Sequence, residues 1–442
     1  MRSEICLIGD ILIDVSLRTD IEETKLRLGG IIHSARALWA MDIAYDVAYF
    51  APSYLDEQIY EYLMHHGCAN IFKLGDVTGA PNVFLIGEPK EIGSQEYEFI
   101  LRDNLKVTYD DQAIENFCST SYSNNIVISG NFNIISIINR LNNNVHIDVA
   151  NNISDIKVFK NLTRKITTLF VSTSSNIFAN CFKGSFPEFA KKFKTYCDIL
   201  ILKENRGGSR SYDFQKNETI RAFSQPRKIV HSVGVGDVYA AIYALTKSRS
   251  KSTQESMVLS SWIAAEYAVT SFPDDFKREV ARVLKSDIKD LINLKGVSLP
   301  WEMRSLINIY IAAPDFQFVD VSYIDKLAKA SRYHNFTPRR PVQENGQMEE
   351  NASKTTRDEL VTKDLQILEE CKILVAVLLY NDPGTLMEIG YAVAKGLVTI
   401  VYDPLGIATN CMLTELPDLV TSDMEEVITE IFIRSAKLIQ NE

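Results

Sequence analysis

The chain has 442 residues, a formal net charge of −10 and 46% hydrophobic residues. Single cores seldom grow beyond about 250–300 residues, so the length predicts two domains, and the composition excludes a disordered or collagen-like chain. The charge is uneven, because residues 301–442 hold 13 Lys+Arg against 22 Asp+Glu; this acidic third argues against duplex nucleic acid as a partner and favours small molecules.

The opening sequence, MRSEICLIGDILIDV, places an apolar run between charges and meets Asp10. The run is too short and too acidic for a signal peptide or a membrane span, and no other window reaches about 18 uninterrupted apolar residues. We therefore expect a cytoplasmic protein without membrane contact. The seven cysteines are an odd number and form no Cys-x-x-Cys pair, so they predict neither a disulfide framework nor a zinc site.

Apolar runs alternate with helix-like segments over most of the first 300 residues. Short apolar runs predict buried strands at 5–13, 126–129, 145–149, 168–171 and 199–202. Apolar residues at helical spacing predict helices at 35–41, 58–65 and 238–245. This alternation predicts an α/β sheet with mostly parallel strands.

The pattern breaks at the sequence KGVSLP, residues 295–300, where we place the boundary between a first domain (1–300) and a second (301–442). The second domain then alternates strands at 307–312, 373–379 and 398–402 with helices at 321–331, 358–371, 385–395 and 424–438. A polar stretch at about 334–357 has few large apolar residues. It predicts either a disordered insertion, which we favour, or a mobile loop over a site.

Within the first domain, Gly234, Val235 and Gly236 directly precede a predicted helix. Their amides and the helix N-terminus form a concavity that suits a phosphate oxygen. Asp237, in the first turn, is placed to take a proton from an attacking hydroxyl. On spacing alone, Gly-x-Gly-Asp is at least as often a plain helix start, so both interpretations stay open.

This segment resembles the anion-hole and catalytic-base motif of ribokinase-like (PfkB-type) sugar and nucleoside kinases. Residues 9–14 (GDILID) resemble that family's opening strand, and residues 27–30 (RLGG) resemble its diglycine sugar-contact motif. The resemblance covers roughly residues 3–295. It implies a ribokinase-like α/β sandwich, substrate contacts at Asp14, Gly29 and Gly30, and ATP with Mg²⁺ if the domain is an active kinase.

Two departures from the family pattern leave the activity of this domain open. Ser34 stands where the family carries Asn, and residues 172–175 (STSS) lack the Asn-x-x-Glu motif that organises magnesium and phosphate. Phosphoryl transfer depends on that cation placement. The alternatives are an active kinase with Asp237 as base, and a degenerate kinase domain that binds a nucleoside, nucleotide or sugar as a sensor or scaffold. For Asp14, the alternative to a substrate contact is a structural role, as a buried carboxylate that caps a turn.

In the second domain, a predicted strand leads into the sequence YNDPGTLME, residues 380–388. Pro-Gly suits a tight turn at a helix start, and Asp382 suits the N-cap. Ligands of open α/β sheets bind at such a carboxyl end of a strand. Two carboxylates there suit N-glycosidic bond cleavage, because Glu388 can stabilise an oxocarbenium-like centre and form a covalent intermediate, while Asp382 protonates or hydrogen-bonds the leaving base. The alternative is a capping Asp382 and a solvated Glu388.

Residues 307–412 resemble the nucleoside 2-deoxyribosyltransferase family, whose Asp-x-Gly-Thr-x-x-Glu-x-Gly-Tyr-Ala signature matches residues 382–392 (DPGTLMEIGYA). The resemblance implies a flavodoxin-like (Rossmann-like) parallel sheet, no cofactor or metal in this domain, and a homo-oligomer that completes its pockets across subunits. It implies Glu388 as nucleophile, Tyr310 as the residue that orients it, Asp364 and Asp382 as contacts to the base, and Asn410 and Met412 as sugar or neighbouring-site contacts.

The sequence therefore predicts an enzyme that cleaves or transfers at the N-glycosidic bond of (deoxy)nucleosides or nucleotides. Its first domain is expected to bind a nucleoside, nucleotide or sugar. One alternative is an active sugar or nucleoside kinase with Asp237 as base. Another is a nucleotide-depleting N-glycosidase effector, acting in stress or phage defence under the control of a degenerate kinase domain. Transfer and hydrolysis differ only in whether a base or a water resolves the intermediate, and the sequence favours neither.

Overall fold

The computed structural model describes residues 3–18, 23–94, 97–98, 104–149, 152–349 and 351–441. The chain divides into two compact units: unit 1 comprises Met1–Glu91 and Gln95–Ser298, and unit 2 comprises Ile92–Ser94 and Leu299–Glu442. Within the described ranges, none of the helices combines the length and the apolar character that crossing a membrane requires.

The main sheet of unit 1 is parallel at its centre and antiparallel at both edges. Its strands, over the described residues, are β1 (Ile5–Asp10), β4 (Tyr45–Ala51), β5 (Cys68–Thr78), β8 (Lys106–Tyr109), β9 (Asn124–Ile128), β10 (Asn144–Val149), β11 (Ile166–Ser172), β12 (Cys197–Lys203), β13 (Ser209–Asp213) and β14 (Glu218–Ala222). They follow the order β14-β13-β12-β11-β10-β9-β1-β4-β5-β8. Strands β5, β4, β1, β9, β10, β11 and β12 pair in parallel, which confirms the predicted α/β class.

A smaller sheet in unit 1 has the order β3-β2-β6-β7, with β2 (Ile13–Ser16), β3 (Lys25–Leu28), β6 (Val83–Ile86) and β7 (Tyr97–Glu98). The apolar run predicted as one strand at 5–13 is therefore two strands in different sheets. The backbone amide of Ile11 still donates to the carbonyl of Phe50 on β4, in the main sheet. The amide of Ile13 donates instead to the carbonyl of Asn82, so the chain has left the main sheet between these two residues. Asp14 thus lies on β2, opposite Arg27 of β3.

The helices of unit 1 are α1 (Ile32–Ala40), α2 (Asp56–His65), α3 (Asp111–Ser119), α4 (Ile134–Ile138), α5 (Asn176–Cys181), α6 (Phe186–Lys191), α7 (Val235–Ser248), α8 (Thr253–Ala268), α9 (Pro273–Lys285) and α10 (Ile288–Asn293). Helix α7 is buried along most of its length and packs against α1 and α8. It begins at Gly234, whose φ of 79° lies in the left-handed region that favours glycine. The core of unit 1 therefore fixes the predicted Gly-x-Gly-Asp segment at a helix start.

Unit 2 is built on a parallel sheet with the order β16-β15-β17-β18-β19, which again confirms the α/β class. The strands are β15 (Asn308–Ala312), β16 (Thr337–Arg339), β17 (Ile373–Val377), β18 (Val398–Tyr402) and β19 (Leu419–Thr421). The helices are α11 (Trp301–Arg304), α12 (Ser322–Tyr333), α13 (Pro341–Asn345), α14 (Lys354–Glu369), α15 (Pro383–Ala394), α16 (Cys411–Glu415) and α17 (Met424–Asn441). Strand β17 is buried at every residue, as expected of a central parallel strand.

The expectation of an insertion at 334–357 is wrong for most of that stretch. It contains the edge strand β16, which pairs in parallel with β15, then helix α13 and the first turn of α14. Edge strands need few apolar residues because backbone hydrogen bonds to one neighbour hold them. Helix α14 starts at Lys354, before the predicted start at 358, and Asp364 lies inside it.

Candidate functional site

The predicted nucleophile of unit 2 is held by a tyrosine. Tyr310 lies on β15, is fully buried, and donates its hydroxyl hydrogen to Glu388 Oε1 at 2.6 Å. Glu388 lies on α15, which packs against β15, β17 and β18. The two residues are 78 positions apart in the chain, so the sheet and helix bring them together. The Glu388 side chain is partly buried and does not point freely into solvent.

Asp382 fixes the start of the helix that carries Glu388. Its Oδ2 accepts hydrogen bonds from the Thr385 amide at 2.7 Å and from the Thr385 hydroxyl at 2.8 Å. Pro383 follows in the first turn, where its missing amide hydrogen costs nothing. Asp382 is therefore the N-cap of α15, as predicted from its spacing, and one of its oxygens is committed to that role.

Asp364 is held by a residue that the sequence did not single out. Asn345, the last residue of α13, donates from Nδ2 to Asp364 Oδ1 at 2.8 Å. The Asp364 carboxyl is partly buried on α14. Proline at position 341 was the one available sequence signal for α13, because proline is favoured in the first turn of a helix. Asn345 lay inside the stretch that we interpreted as an insertion.

The three carboxyl groups influence one another. Burial raises the pKa of Glu388 to about 7; the hydrogen bond from Tyr310 opposes the rise, and the negative charges of Asp364 and Asp382 add to it. Burial also raises the pKa of Asp364, against the hydrogen bond from Asn345. The pKa of Tyr310 is raised by burial and by its contact with Glu388. Tyr310 therefore remains a hydrogen-bond donor at any ordinary pH.

Asn410 and Met412 lie at the start of α16. Asn410 caps this helix, since its Oδ1 accepts from the Met412 amide at 2.9 Å, and the Met412 residue is 63% exposed. Among the described residues, no hydrogen bond joins either residue to Glu388, Tyr310 or Asp364. The structure thus groups Glu388, Tyr310, Asp364 and Asp382, and leaves the predicted roles of Asn410 and Met412 as predictions.

In unit 1, Asp14 ends a buried chain of hydrogen bonds. Its Oδ2 lies 2.9 Å from His33 Nε2, and His33 Nδ1 lies 2.7 Å from the Tyr267 hydroxyl. That hydroxyl also accepts from Arg36 Nη1 at 3.1 Å. Because the Asp14 carboxylate can only accept, His33 Nε2 carries the proton and donates to it; Nδ1 of the neutral ring then accepts from the Tyr267 hydroxyl. Burial lowers the pKa of His33, which agrees with a neutral ring.

The predicted diglycine lies directly against the Asp14 carboxyl group and the backbone of Asp10. A side chain at Gly29 would collide with the Asp14 carboxyl group, and one at Gly30 would collide with the Asp10 carbonyl. Gly30 also has a φ of +64°, in the left-handed region. Gly29 and Gly30 thus let the backbone pass beside Asp14, and a contact to substrate stays a prediction.

The predicted phosphate site at Gly234, Val235 and Gly236 faces a lysine that sequence reasoning missed. A Cβ at Gly236 would lie 2.9 Å from Lys203 Nζ, and this ammonium also donates to the Gly236 carbonyl at 3.3 Å. Lys203 is the last residue of β12 and pairs with Asp148 of β10 at 2.5 Å. No local periodicity reveals such a pair, because its members are 55 residues apart.

Asp237, the predicted base, lies in the first turn of α7 next to that pair. Burial raises its pKa to about 8, the charge of Asp148 adds to the rise, and Lys203 opposes it. Within the described ranges, no three His, Cys, Asp or Glu side chains gather as metal ligands. The Asp148 carboxylate beside Asp237 is paired with the Lys203 ammonium at 2.5 Å.

Comparison with known proteins identifies part of the chain. Residues 309–416 match the family model described as nucleoside 2-deoxyribosyltransferase. This confirms the resemblance seen in the sequence of the second domain. Every residue predicted for the site of the second domain lies inside the matched segment. A search of curated proteins finds no match.

Solved structures similar to the chain cover about two thirds of it. They include a variant of phosphofructokinase-2 from Escherichia coli (13% identity, TM-score 0.47), which covers 64% of this chain and 100% of its own. Ribokinase from Arabidopsis thaliana complexed with ribose and ATP has 12% identity and a TM-score of 0.47, and the match covers 65% of this chain and 100% of the ribokinase. Ribokinase from Thermotoga maritima has 14% identity and a TM-score of 0.45, and the match covers 64% of this chain and 100% of that ribokinase.

Proposed function

We propose that unit 2 cleaves the N-glycosidic bond of a (deoxy)nucleoside or nucleotide, with Glu388 as nucleophile. The observation that carries the proposal is the 2.6 Å hydrogen bond from the buried Tyr310 hydroxyl to Glu388 Oε1, within the segment that matches the transferase family model. The hydrogen bond holds one carboxylate oxygen in a fixed place. It leaves Oε2 to approach the anomeric carbon.

The chemistry uses two carboxyl groups. Glu388 Oε2 forms a bond to C1′ as the bond from C1′ to the base nitrogen breaks, through an oxocarbenium-like transition state. The electron pair of the broken bond goes to the base, which takes a proton from a carboxylic acid. Asp364 suits this role better than Asp382, because burial raises the pKa of Asp364 while Asp382 Oδ2 is committed to capping α15.

The second half of the reaction restores Glu388. A second base attacks C1′ through nitrogen in a transfer, or water attacks through oxygen in a hydrolysis, and the carboxylate of Glu388 leaves. The Asp364 carboxylate takes back the proton from the attacking group, so the protonation state of the site is regenerated. Both outcomes share the same covalent glycosyl intermediate.

Product analysis of the full chain tests this function. Incubation with mixed nucleosides and nucleotides, with and without a second free base, is followed by mass spectrometry; a new nucleoside indicates transfer and a free sugar indicates hydrolysis. Glu388→Gln keeps the shape of the side chain but cannot form the ester, so base release should disappear. Glu359→Gln, on the exposed face of α14, is the matched control. Base release that survives Glu388→Gln refutes the proposal.

For unit 1 we propose binding of a nucleoside, nucleotide or sugar at Asp14 and the start of α7. Phosphoryl transfer with Asp237 as base is the second candidate, supported by the position of this carboxyl in the first turn of α7. ATP consumption that depends on an acceptor and disappears in Asp237→Asn would establish the kinase. Light scattering tests the predicted homo-oligomer.

A further inference from the structure

Arg340 is an almost fully buried arginine of unit 2 that binds two carboxylates. It is 5% exposed. Its Nε and Nη2 donate to the two oxygens of Asp315 at 2.8 and 2.7 Å, and its Nη1 donates to Asp325 Oδ1 at 2.6 Å. The paired contact to Asp315 uses the planar fork of the guanidinium, which fixes direction as well as distance. A lysine cannot make this contact.

The three residues belong to three different parts of unit 2. Asp315 follows β15 by three residues, Asp325 lies in the first turn of α12, and Arg340 is the N-cap residue of α13. The Asp315 side chain is 10% exposed, so its pair with Arg340 is screened much less than a surface pair. Asp325 is 58% exposed, and its contact contributes less. Arg340 therefore joins the start of α13 mainly to the strand that carries Tyr310.

Helix α13 depends on such contacts for its position. It has only five residues, which is too short for a helix to be stable by itself, and among these described residues only Pro341 is buried. A second arginine, Arg339, pairs with Glu344 of α13, but both side chains are partly exposed. Loss of the Arg340 contacts should thus loosen α13 without releasing it.

The other end of α13 holds a carboxyl group of the candidate site. Asn345, the last residue of α13, donates from Nδ2 to Asp364 Oδ1 at 2.8 Å. Arg340 lies five residues earlier, so about 7.5 Å of helix joins the two. A displacement of Asn345 by about 1 Å would stretch its bond to Asp364 beyond hydrogen-bonding distance. The contact between Asn345 and Asp364 therefore depends on what holds the start of α13.

We propose that Arg340 is a positioning residue of the candidate site: it holds α13 against the segment after β15 and so keeps Asn345 in contact with Asp364. Its three nitrogens are engaged with Asp315 and Asp325, so it acts through Asn345 and not by touching substrate. The inference rests on the function proposed for unit 2, with Asp364 as proton donor. It adds the residue that sets the position of that donor.

The groups around Asp364 give the direction of the effect. Burial raises the pKa of Asp364, and the hydrogen bond from Asn345 opposes the rise. Glu388 on α15 and Tyr310 on β15 interact electrostatically with Asp364 from the neighbouring elements. Loss of the Asn345 bond should therefore raise the pKa of Asp364 further, so that the carboxyl keeps its proton to higher pH.

Titration of Asp364 in the full chain tests the role of Arg340 without any substrate. Aspartate carboxyl carbons are labelled for NMR, the Asp364 signal is assigned with Asp364→Asn, and its pH midpoint is compared among variants. Arg340→Lys keeps the positive charge and loses the fork, so the midpoint should rise by about half a unit to one unit, and no further than in Asn345→Ala. Arg434→Lys is the matched control, because Arg434 also binds two carboxylates but lies beside β19, at the opposite edge of the sheet from β16. It should leave the midpoint in place.

A double variant separates positioning from a purely structural role. If Arg340 acts through Asn345, adding Arg340→Lys to Asn345→Ala should produce no further rise in the midpoint. A rise that adds to that of Asn345→Ala, or no rise in Arg340→Lys alone, overturns the proposal.

A charge-neutral pair of substitutions repeats the test if Arg340→Lys does not fold. Arg340→Gln with Asp315→Asn removes the fork without leaving an unpaired charge in the interior, since Asp325 is exposed. The pair should raise the midpoint of Asp364 by a similar amount, again without adding to Asn345→Ala. An unchanged midpoint in this folded variant overturns the proposal as well.

Base release from the mixed nucleosides and nucleotides reports on unit 2 separately. In Arg340→Lys the falling limb of kcat/KM at high pH should move up with the midpoint of Asp364, while the rising limb at low pH, which reports Glu388, stays in place. A raised midpoint with an unmoved limb supports positioning by Arg340 and contradicts Asp364 as the proton donor. Absence of base release from the unsubstituted chain contradicts the function proposed for unit 2, and the titration of Asp364 still decides the role of Arg340.

Discussion

Replacement of Tyr310 by phenylalanine should move the pH dependence of glycosidic cleavage. The Tyr310 hydroxyl donates to Glu388 at 2.6 Å and favours the ionised carboxylate, whose pKa is raised by burial to about 7. A hydrogen bond to a charged group contributes about 1.5–3 kcal/mol, and each pKa unit corresponds to about 1.36 kcal/mol. Loss of the bond should therefore raise the pKa of Glu388 by about one to two units.

The expected consequence is a shift of the acid limb of kcat/KM. The nucleophile must be ionised, so activity rises as pH rises through the pKa of Glu388. A limb near pH 7 should move to about pH 8–9 in Tyr310→Phe, and activity at pH 7 should fall about fivefold to fiftyfold. Much of the loss should be recovered at high pH, because the carboxylate itself is intact.

The assay is base release measured from pH 5 to 10. Tyr391→Phe is a matched control, because Tyr391 lies on the same helix as Glu388, α15, and its hydroxyl donates to the exposed Glu369 of α14 at 3.0 Å. A limb that stays in place in Tyr310→Phe, or moves to lower pH, would refute the argument that this hydrogen bond stabilises the ionised nucleophile.

Three further predictions concern the buried charges. Glu388→Gln should stabilise the protein more at pH 8 than at pH 4, by on the order of 3 kcal/mol. The reason is that the raised pKa of Glu388 makes its ionised form destabilising to the folded state as pH rises from about 4.5 to 7. Thermal melting that gives equal gains in stability at both pH values contradicts this. Asn345→Ala removes a hydrogen bond that favours the ionised form of Asp364, so the alkaline limb of kcat/KM should move up by about one unit; an unchanged limb shows that Asp364 is not the proton donor. Lys203→Met leaves the Asp148 carboxylate unpaired and should cost about 3–5 kcal/mol in urea unfolding, whereas adding Asp148→Asn should restore most of the loss.

The sequence predicted those parts of the site that one local motif specifies. The run from Asp382 to Glu388 determines a capped helix after a buried strand, so both residues lie where the spacing placed them. Tyr310 could be assigned only through the family resemblance, because its partner is 78 residues away. Alternating apolar runs predicted the α/β class of both units, since buried parallel strands are apolar at nearly every position.

The errors arise where backbone pairing or distant charges decide the structure. Strand β16 has only partly buried residues, so hydrophobic periodicity gives no signal for it, and with it the helix that carries Asn345 was missed. The pair of Lys203 and Asp148 joins the ends of different strands. Such contacts follow from the order of strands in the sheet, which composition and spacing do not determine. The region at 334–357 thus contributes to the site instead of lying outside it.

The two units treat their candidate carboxylates in the same physical way. Glu388 accepts a hydrogen bond from the phenol of Tyr310. Asp14 accepts one from the neutral imidazole of His33, which is oriented by the phenol of Tyr267. A neutral hydrogen-bond partner fixes the position of a carboxylate without cancelling its charge, although Asp14 also has Arg27 Nε at 3.9 Å. Asp148 differs, because the Lys203 ammonium at 2.5 Å already cancels its charge. From this contrast we predict that Glu388 and Asp14 contact ligands and that Asp148 has a structural role. Asp148→Asn combined with Lys203→Met should therefore leave the selectivity of unit 1 for its ligand unchanged, and altered selectivity would contradict the distinction.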